Sequence, residues 1–415
     1  MTHPFDVARC RRQFPGLQRR VAGQPAVFFD GPAGSQVPSS VVQAMGRYLT
    51  DTNANMHGQF ATSRESDAVL KRAHQAAADL VGSREPDLVV FGANMTTLTF
   101  ALARALGRTW GPGDEVLLTS LEHDANFTPW VQAAEDAGAT VRQAAIQRED
   151  CTLDLDDWTS KLGSRTRLVA FTAVSNIVGS ILPVREMVTR AHQAGAQVFI
   201  DAVHLAPHLS MDVEAWDCDY LTCSAYKFFG PHVGILYGKR EHLEQLPVHK
   251  LRPSSDALPY RWMTGTQSHE GMAGTLAAID YLADLGRHHG GKLPHRRAAL
   301  QAAFAAIEEH ERNLVRRLLD GLAEIPAVTV WGITDPQRLD QRVPTVALTH
   351  AGKTARQMAG ELGKQGIFTW SGNFYSVPLT EALDLEPEGV LRIGLMHYNT
   401  AEEIDRLLVA LRGVA

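Results

Sequence analysis

Lys227 closes the apolar run Tyr220-Leu221-Thr222-Cys223-Ser224 and is followed by Phe228, Phe229 and the turn Gly230-Pro231. That placement sets an amine at the mouth of a buried strand, among aromatic rings and hydroxyls. Burial disfavours an ammonium ion, so a lysine there serves as a nucleophile or base near neutral pH. Taken alone, it also fits a structural role, with its stem in the core and its charge snorkelling out.

Upstream, Asp201 ends a second apolar run, Gln197-Val198-Phe199-Ile200. Parallel strands in α/β folds present reactive groups at their carboxyl ends. An amine and a carboxylate at two such ends suit pyridoxal 5'-phosphate. The amine holds the aldehyde as a Schiff base, and the carboxylate keeps the pyridine nitrogen protonated so that the ring accepts electrons. An isolated aspartate after a strand also reads as a helix cap or turn residue. The pair carries the argument.

Four more stretches fit the same chemistry. Asn94, Met95 and Thr96 follow the strand-like Leu88–Phe91 and open an Ala/Leu-rich helix, where backbone N–H groups and a threonine hydroxyl bind phosphate. His123 follows Val116–Leu118 and could lie over a flat ring or shuttle protons. Asn176, at another strand end, suits a hydrogen bond to a phenolic oxygen, though asparagine is also a common turn residue. Arg392 sits inside the apolar run Leu391-Arg392-Ile393. A buried guanidinium needs an anion, either a substrate carboxylate or an internal acid.

The elements that must position these groups follow from the rest of the chain. Its 415 residues, 45% hydrophobic and 21% charged, can fill a large core and more than one domain. Net charge is −6, with acids and bases interspersed; no basic stripe suggests nucleic acid. The four cysteines, Cys10, Cys151, Cys218 and Cys223, lack metal-site or disulfide-framework spacing, so no metal is expected. No apolar run reaches membrane-spanning length, and the opening residues lack a leader pattern, so the expectation is a cytoplasmic enzyme without membrane contact. Short apolar runs at 88–91, 115–118, 168–171, 198–200, 220–224 and 234–238 alternate with helical stretches, the rhythm of an α/β fold with a mainly parallel sheet. A helix over 291–323, strands near 328–330 and 343–348 and a helix after Thr400 read as an α+β unit. The expected division is a large cofactor domain at 24–275 and a smaller one from 1–23 and 276–415.

In this order the motifs resemble the class V aminotransferases, a family of fold type I PLP-dependent transferases, and within it the cysteine desulfurase-like group. The resemblance runs from Phe28-Phe29-Asp30-Gly31-Pro32-Ala33 to Tyr398-Asn399-Thr400 and the helix beyond. It implies a seven-stranded, mainly parallel sheet in the large domain and a homodimer with shared active sites. It further implies that Lys227 carries the cofactor, Asp201 pairs with the pyridine nitrogen, His123 stacks on the ring, and Asn176 and His204 approach the phenolic oxygen. Asn94, Met95, Thr96, Ser224 and Tyr226 would hold the phosphate, completed by Thr266 of a neighbouring subunit. Arg392 would clamp the carboxylate of a small amino acid, with Ala33, His57, Asn176 and Tyr375 on the substrate side.

One departure matters. Desulfurases carry a nucleophilic cysteine on a loop shortly before the substrate arginine. The corresponding stretch here, Thr369-Trp370-Ser371-Gly372-Asn373-Phe374-Tyr375-Ser376, holds Tyr375 at that position, and no cysteine follows Cys223. A tyrosine hydroxyl, with an ordinary pKa of about 10, cannot replace a thiolate in sulfur transfer. The expected reaction is Cβ elimination (a β-lyase) or cysteine-sulfinate-type β-decarboxylation, with carbon–carbon bond formation to an aldehyde co-substrate as an option. Two alternatives stay open: an aminotransferase, and a cysteine desulfurase- or selenocysteine lyase-like activity without the persulfide cysteine. Trp370, Phe374 and Tyr375 would line an aromatic pocket or serve as packing.

Overall fold

The computed structural model describes residues 5–414. Residues 1–4, which open the sequence inspected for a leader and the segment assigned to the smaller domain, and residue 415 lie outside the described residues.

The apolar runs of the first half assemble into one seven-stranded sheet. Its strands are β1 (Val89–Gly92), β2 (Glu115–Thr119), β3 (Thr140–Ala144), β4 (Thr166–Thr172), β5 (Gln197–Asp201), β6 (Tyr220–Ser224) and β7 (Gly234–Gly238). Their spatial order is β1-β7-β6-β5-β4-β2-β3. Six run parallel, and β7 is antiparallel to both of its neighbours. Strands β2, β5, β6 and β7 are buried along nearly their whole length, which explains why they read as continuous apolar runs. Strand β3 is exposed at three of its five residues and gave no such run. Helices α1 (Ala61–Val81), α2 (Met95–Gly107), α3 (Thr128–Ala137) and α4 (Val184–Gln193) accompany this sheet.

Parallel strands put their carboxyl ends on one edge. Gly92, Thr119, Thr172, Asp201 and Ser224 therefore deliver five loops to the same rim. That is the usual place for a ligand in an open α/β sheet.

Two long helices follow, α5 (His269–Gly290) and α6 (Arg296–Ala323), separated by Gly291 in the left-handed region at φ 73°. A second, antiparallel sheet comprises β8 (Val328–Trp331), β9 (Thr345–His350), β10 (Trp370–Gly372) and β11 (Val390–Gly394), in the order β8-β9-β11-β10. Leu318 of α6, Val346, Ile393 and Leu407 of the closing helix α7 (Ala401–Val414) form a core of their own. Val27 and Phe29 belong to it, because Val27–Phe28 pairs in parallel with Ile367–Phe368. The boundary read at residue 24 assigns Val27 and Phe29 to the large domain, whereas both pack in the second core. The boundary read at 275 falls inside α5, which packs on α1. Among the described residues no helix is long and apolar enough to cross a membrane, and no group of three or more His, Cys, Asp or Glu could hold a metal ion.

Candidate active site

The five rim loops and the β10–β11 edge of the small sheet enclose a cavity of about 360 Å³. That lies within the roughly 300–1,000 Å³ typical of small-molecule sites. Lys227, Asp201, His123, Asn176, His204 and Arg392 all line it. So do Asn94, Met95, Thr96, Ser224, Tyr226, Ala33 and Tyr375. His57 and Thr266 do not. The His57 side chain is 67% exposed and its ring packs on Tyr260, while Thr266 lies exposed just before α5.

Lys227 ends a short turn after β6. Its Nζ donates to the carbonyls of Pro32 and Ala33, the latter at 3.3 Å, and lies 4.9 Å from the centre of the Tyr226 ring. Burial, with the Arg392 charge adding to it, pulls the amine down to about 7, against the favourable field of Asp201. A neutral amine is therefore available at physiological pH. Asp201 accepts the Val203 N–H at 2.8 Å, and burial pushes its carboxyl up to about 6. A carboxylate so placed is stabilised by a cation, and a protonated pyridine nitrogen supplies one.

At the β1 end, Asn94 caps α2 by accepting the Thr97 N–H at 2.9 Å, and the Ser224 hydroxyl accepts the Met95 N–H at 3.0 Å. Thr96 lies at the positive end of the helix, a natural phosphate seat. Gly234 makes this packing possible: a Cβ there would sit 2.4 Å from the Asn94 carbonyl carbon. His123 stands on the remaining side. Its Nδ1 accepts the Ala125 N–H at 3.0 Å, and burial, then the Lys227 and Arg392 charges, lower it to about 4. It offers a neutral aromatic face.

Arg392 projects from β11. Its Nη1 donates to the Asn176 carbonyl at 2.8 Å and its guanidinium lies 3.8 Å from the centre of the Phe374 ring. Burial lowers it to about 9, and Tyr226 and Asp30 favour its charge from a distance, so it remains cationic at neutral pH. Among the described residues it forms no direct ion pair, and a substrate carboxylate fits that need. Asn176 is already engaged: its Nδ2 donates to the Phe374 carbonyl at 3.1 Å and its Oδ1 accepts the Ser376 hydroxyl at 2.6 Å. His204 shares a hydrogen bond with the Thr345 hydroxyl of β9 at 2.9 Å, and burial holds it well below its ordinary value.

Two supporting groups went unread in the sequence. Glu122 is fully buried beside His123, bonded to the Thr119 hydroxyl at 2.5 Å and the Asn126 amide at 2.6 Å, which fixes the His123 loop. Its only sequence signal is an acid in the loop that follows an apolar strand. Thr345 carries no local signal at all.

Fold and site together define a fold type I pyridoxal-phosphate enzyme: an amine, a carboxylate, a flat imidazole and a helix N-terminus around one cavity, with an arginine facing them from the second sheet. The aminotransferase class V family model matches residues 27–407. The chain belongs to that family, whose members depend on pyridoxal phosphate, and specifically to its cysteine desulfurase-like branch. It is 31% identical over 423 residues to a probable cysteine desulfurase of Synechocystis, covering 99% of this chain and 96% of that one. An aminotransferase-like protein of Gibberella zeae is 33% identical, covering 99% and 98%. Among solved structures, a cysteine desulfurase from Thermococcus onnurineus superposes with a TM-score of 0.85 at 25% identity, covering 97% and 98% of the two chains. One from Escherichia coli gives 0.83 at 27%, covering 99% and 98%.

Proposed function

We propose that this protein is a pyridoxal-phosphate-dependent lyase that breaks a bond at Cβ of a small amino acid and forms no protein persulfide. The observation that carries this reading is the pairing of a complete cofactor constellation with Tyr375 on the loop where a desulfurase holds its thiol. Burial pushes the thiols of Cys10 and Cys151 up to about 11 and those of Cys218 and Cys223 higher still, and none of the four lines the cavity.

The cofactor, when bound, supplies an electron sink adjoining the substrate Cα. Lys227 would hold it, and its Nζ, neutral near pH 7, would take the Cα proton of the bound amino acid. Asp201 would favour a cationic pyridine nitrogen, His123 would offer its ring to the cofactor, and Arg392 would receive the α-carboxylate. What leaves Cβ, whether sulfide, selenide, sulfinate or carbon dioxide, is set by what the site accepts beyond that atom. Capture of the remaining fragment by an aldehyde belongs to the same scheme. The site is completed by a second copy of the chain, to which Thr266 and His57 contribute. Val42, Leu49, Phe60 and Leu251 are exposed apolar residues available to such a pairing.

Incubating the holoenzyme with a panel of amino acids tests the reading. A lyase returns the aldehyde form of the cofactor and releases a Cβ fragment. Stoichiometric conversion to the amine form would make the protein an aminotransferase instead, the reading that the same lysine and arginine also serve.

A further inference from the structure

Beyond the carboxylate site, the cavity presents a wall of three aromatic rings. Trp370 of β10 stands directly opposite Arg392 of β11 in the antiparallel ladder, so both side chains lie on one face of the sheet. Phe374 covers the Arg392 guanidinium at 3.8 Å, and Tyr375 stacks on His123 with 5.5 Å between ring centres. All three rings line the cavity, and Trp370 and Tyr375 are respectively 53% and 69% exposed at its mouth.

Two of the three rings are carried on a tightly held backbone. Phe374 and Tyr375 are successive non-glycine residues in the left-handed region, at φ 54° and 59°. Such a conformation persists only where surroundings enforce it. Here the Tyr375 carbonyl accepts the Asp124 N–H at 2.6 Å, Asn373 Oδ1 accepts the Tyr375 N–H at 3.2 Å, and Asn176 bonds the Phe374 carbonyl. The residues that fix the rings adjoin or are those that meet cofactor and substrate.

Charge points the same way. Among the described residues lining the cavity, the charged side chains are Lys227, Arg392 and Asp201, and each already has a partner in the proposed reaction. A group beyond Cβ therefore meets aromatic faces, whose negative quadrupole repels an anion and favours apolar or sulfur-bearing groups.

Resting on the lyase reading, we infer that the substrate class is an S-substituted cysteine whose sulfur carries an uncharged alkyl or aryl group, selected by Trp370, Phe374 and Tyr375. In the reaction Lys227 removes the Cα proton and the Cβ–S bond breaks with its electron pair on sulfur. The sulfur takes a proton and leaves as a thiol. Water then hydrolyses the carbon fragment to pyruvate and ammonium, with no net oxidation or reduction.

The test is a titration of the holoenzyme with S-phenylcysteine and with cysteine sulfinate, read as the change in cofactor absorbance and as pyruvate and thiol released. S-phenylcysteine is expected to bind at least about tenfold more tightly than the sulfinate. Trp370→Ala and Phe374→Leu should each cut that preference by about 3–10-fold, in line with the worth of one aromatic contact, while the cofactor band in the unliganded variants stays in place as the control for folding. Equal or tighter binding of the sulfinate, or a preference that neither substitution moves, would overturn the assignment. If no amino acid disturbs the cofactor spectrum, the lyase reading itself fails and the substrate class falls with it. Tight binding of S-phenylcysteine that yields only the amine form would retain the wall and reject the elimination.

Discussion

The rings of His123 and Tyr375 lie stacked, 5.5 Å between centres and 28° between planes, and the Tyr375 carbonyl accepts the N–H of Asp124 at 2.6 Å. Under the proposed function, the loop position that a desulfurase uses to carry sulfur is filled by a ring stacked on His123, the residue proposed to face the cofactor. Incubation with cysteine should leave the intact mass of the protein unchanged by any added sulfur atom. A persulfide mapped to one of the four buried cysteines would show that the site exchanges sulfur by a route this geometry does not provide.

Among the described residues Arg392 has no acidic partner in direct contact, so its removal should affect the substrate more than the cofactor. Arg392→Ala is expected to weaken amino-acid binding by about 2–5 kcal/mol, the usual effect of truncating one member of a buried charged pair. Arg392→Lys should recover only part of it, because an ammonium lacks the planar fork that lies on Phe374. Titrations followed through the cofactor spectrum measure both. Parallel losses of cofactor and amino acid would mark Arg392 as a structural residue.

Gly234 sets the approach of the Asn94 loop, the proposed phosphate seat, since a Cβ there would lie 2.4 Å from the Asn94 carbonyl carbon and 2.6 Å from its oxygen. Gly234→Ala should cost about 1–3 kcal/mol of overpacking at that loop. Affinity for pyridoxal phosphate should fall, whereas affinity for pyridoxal, which lacks the phosphate, should change little. Equal weakening of both ligands would mean that the substitution disturbs the sheet and not the phosphate seat.

Burial and the Arg392 charge bring Lys227 down to about 7 from its ordinary 10.5. In the cofactor-free protein its neutral form should predominate above pH 7 and give way to ammonium as the pH falls below it. An amine-selective reagent should therefore label Lys227 with a half-maximal rate near pH 7. Arg392→Gln removes a repelling cation and should move that midpoint upward, while Asp201→Asn removes a favourable charge and should move it downward. A midpoint near 10 would mean that the amine is solvated.

Much of the site could be read from the chain because its groups sit at strand ends. Asp201 and Lys227 each terminate an apolar run, and strands β5 and β6, being parallel neighbours, bring those ends to one rim. His123 and Asn176 were legible for the same reason. What escaped was whatever depends on contacts far apart in sequence. Thr345 meets His204 only because β9 of the small sheet packs against the rim, and Glu122 resembles any loop acid until Thr119 and Asn126 are seen to enclose it. Strand β3 escaped because three of its five residues are exposed. The domain limits were blurred where Val27 and Phe28 pair with residues 367–368, which sets Val27 and Phe29 in the second core.

The account stands on the attachment of the cofactor to one amine. Reducing the holoenzyme with borohydride and mapping the pyridoxyl group by peptide mass spectrometry tests it most directly. The label is expected on Lys227 and should be absent from the Lys227→Ala protein. A label on another lysine, or a protein that takes up no pyridoxal phosphate, would contradict it.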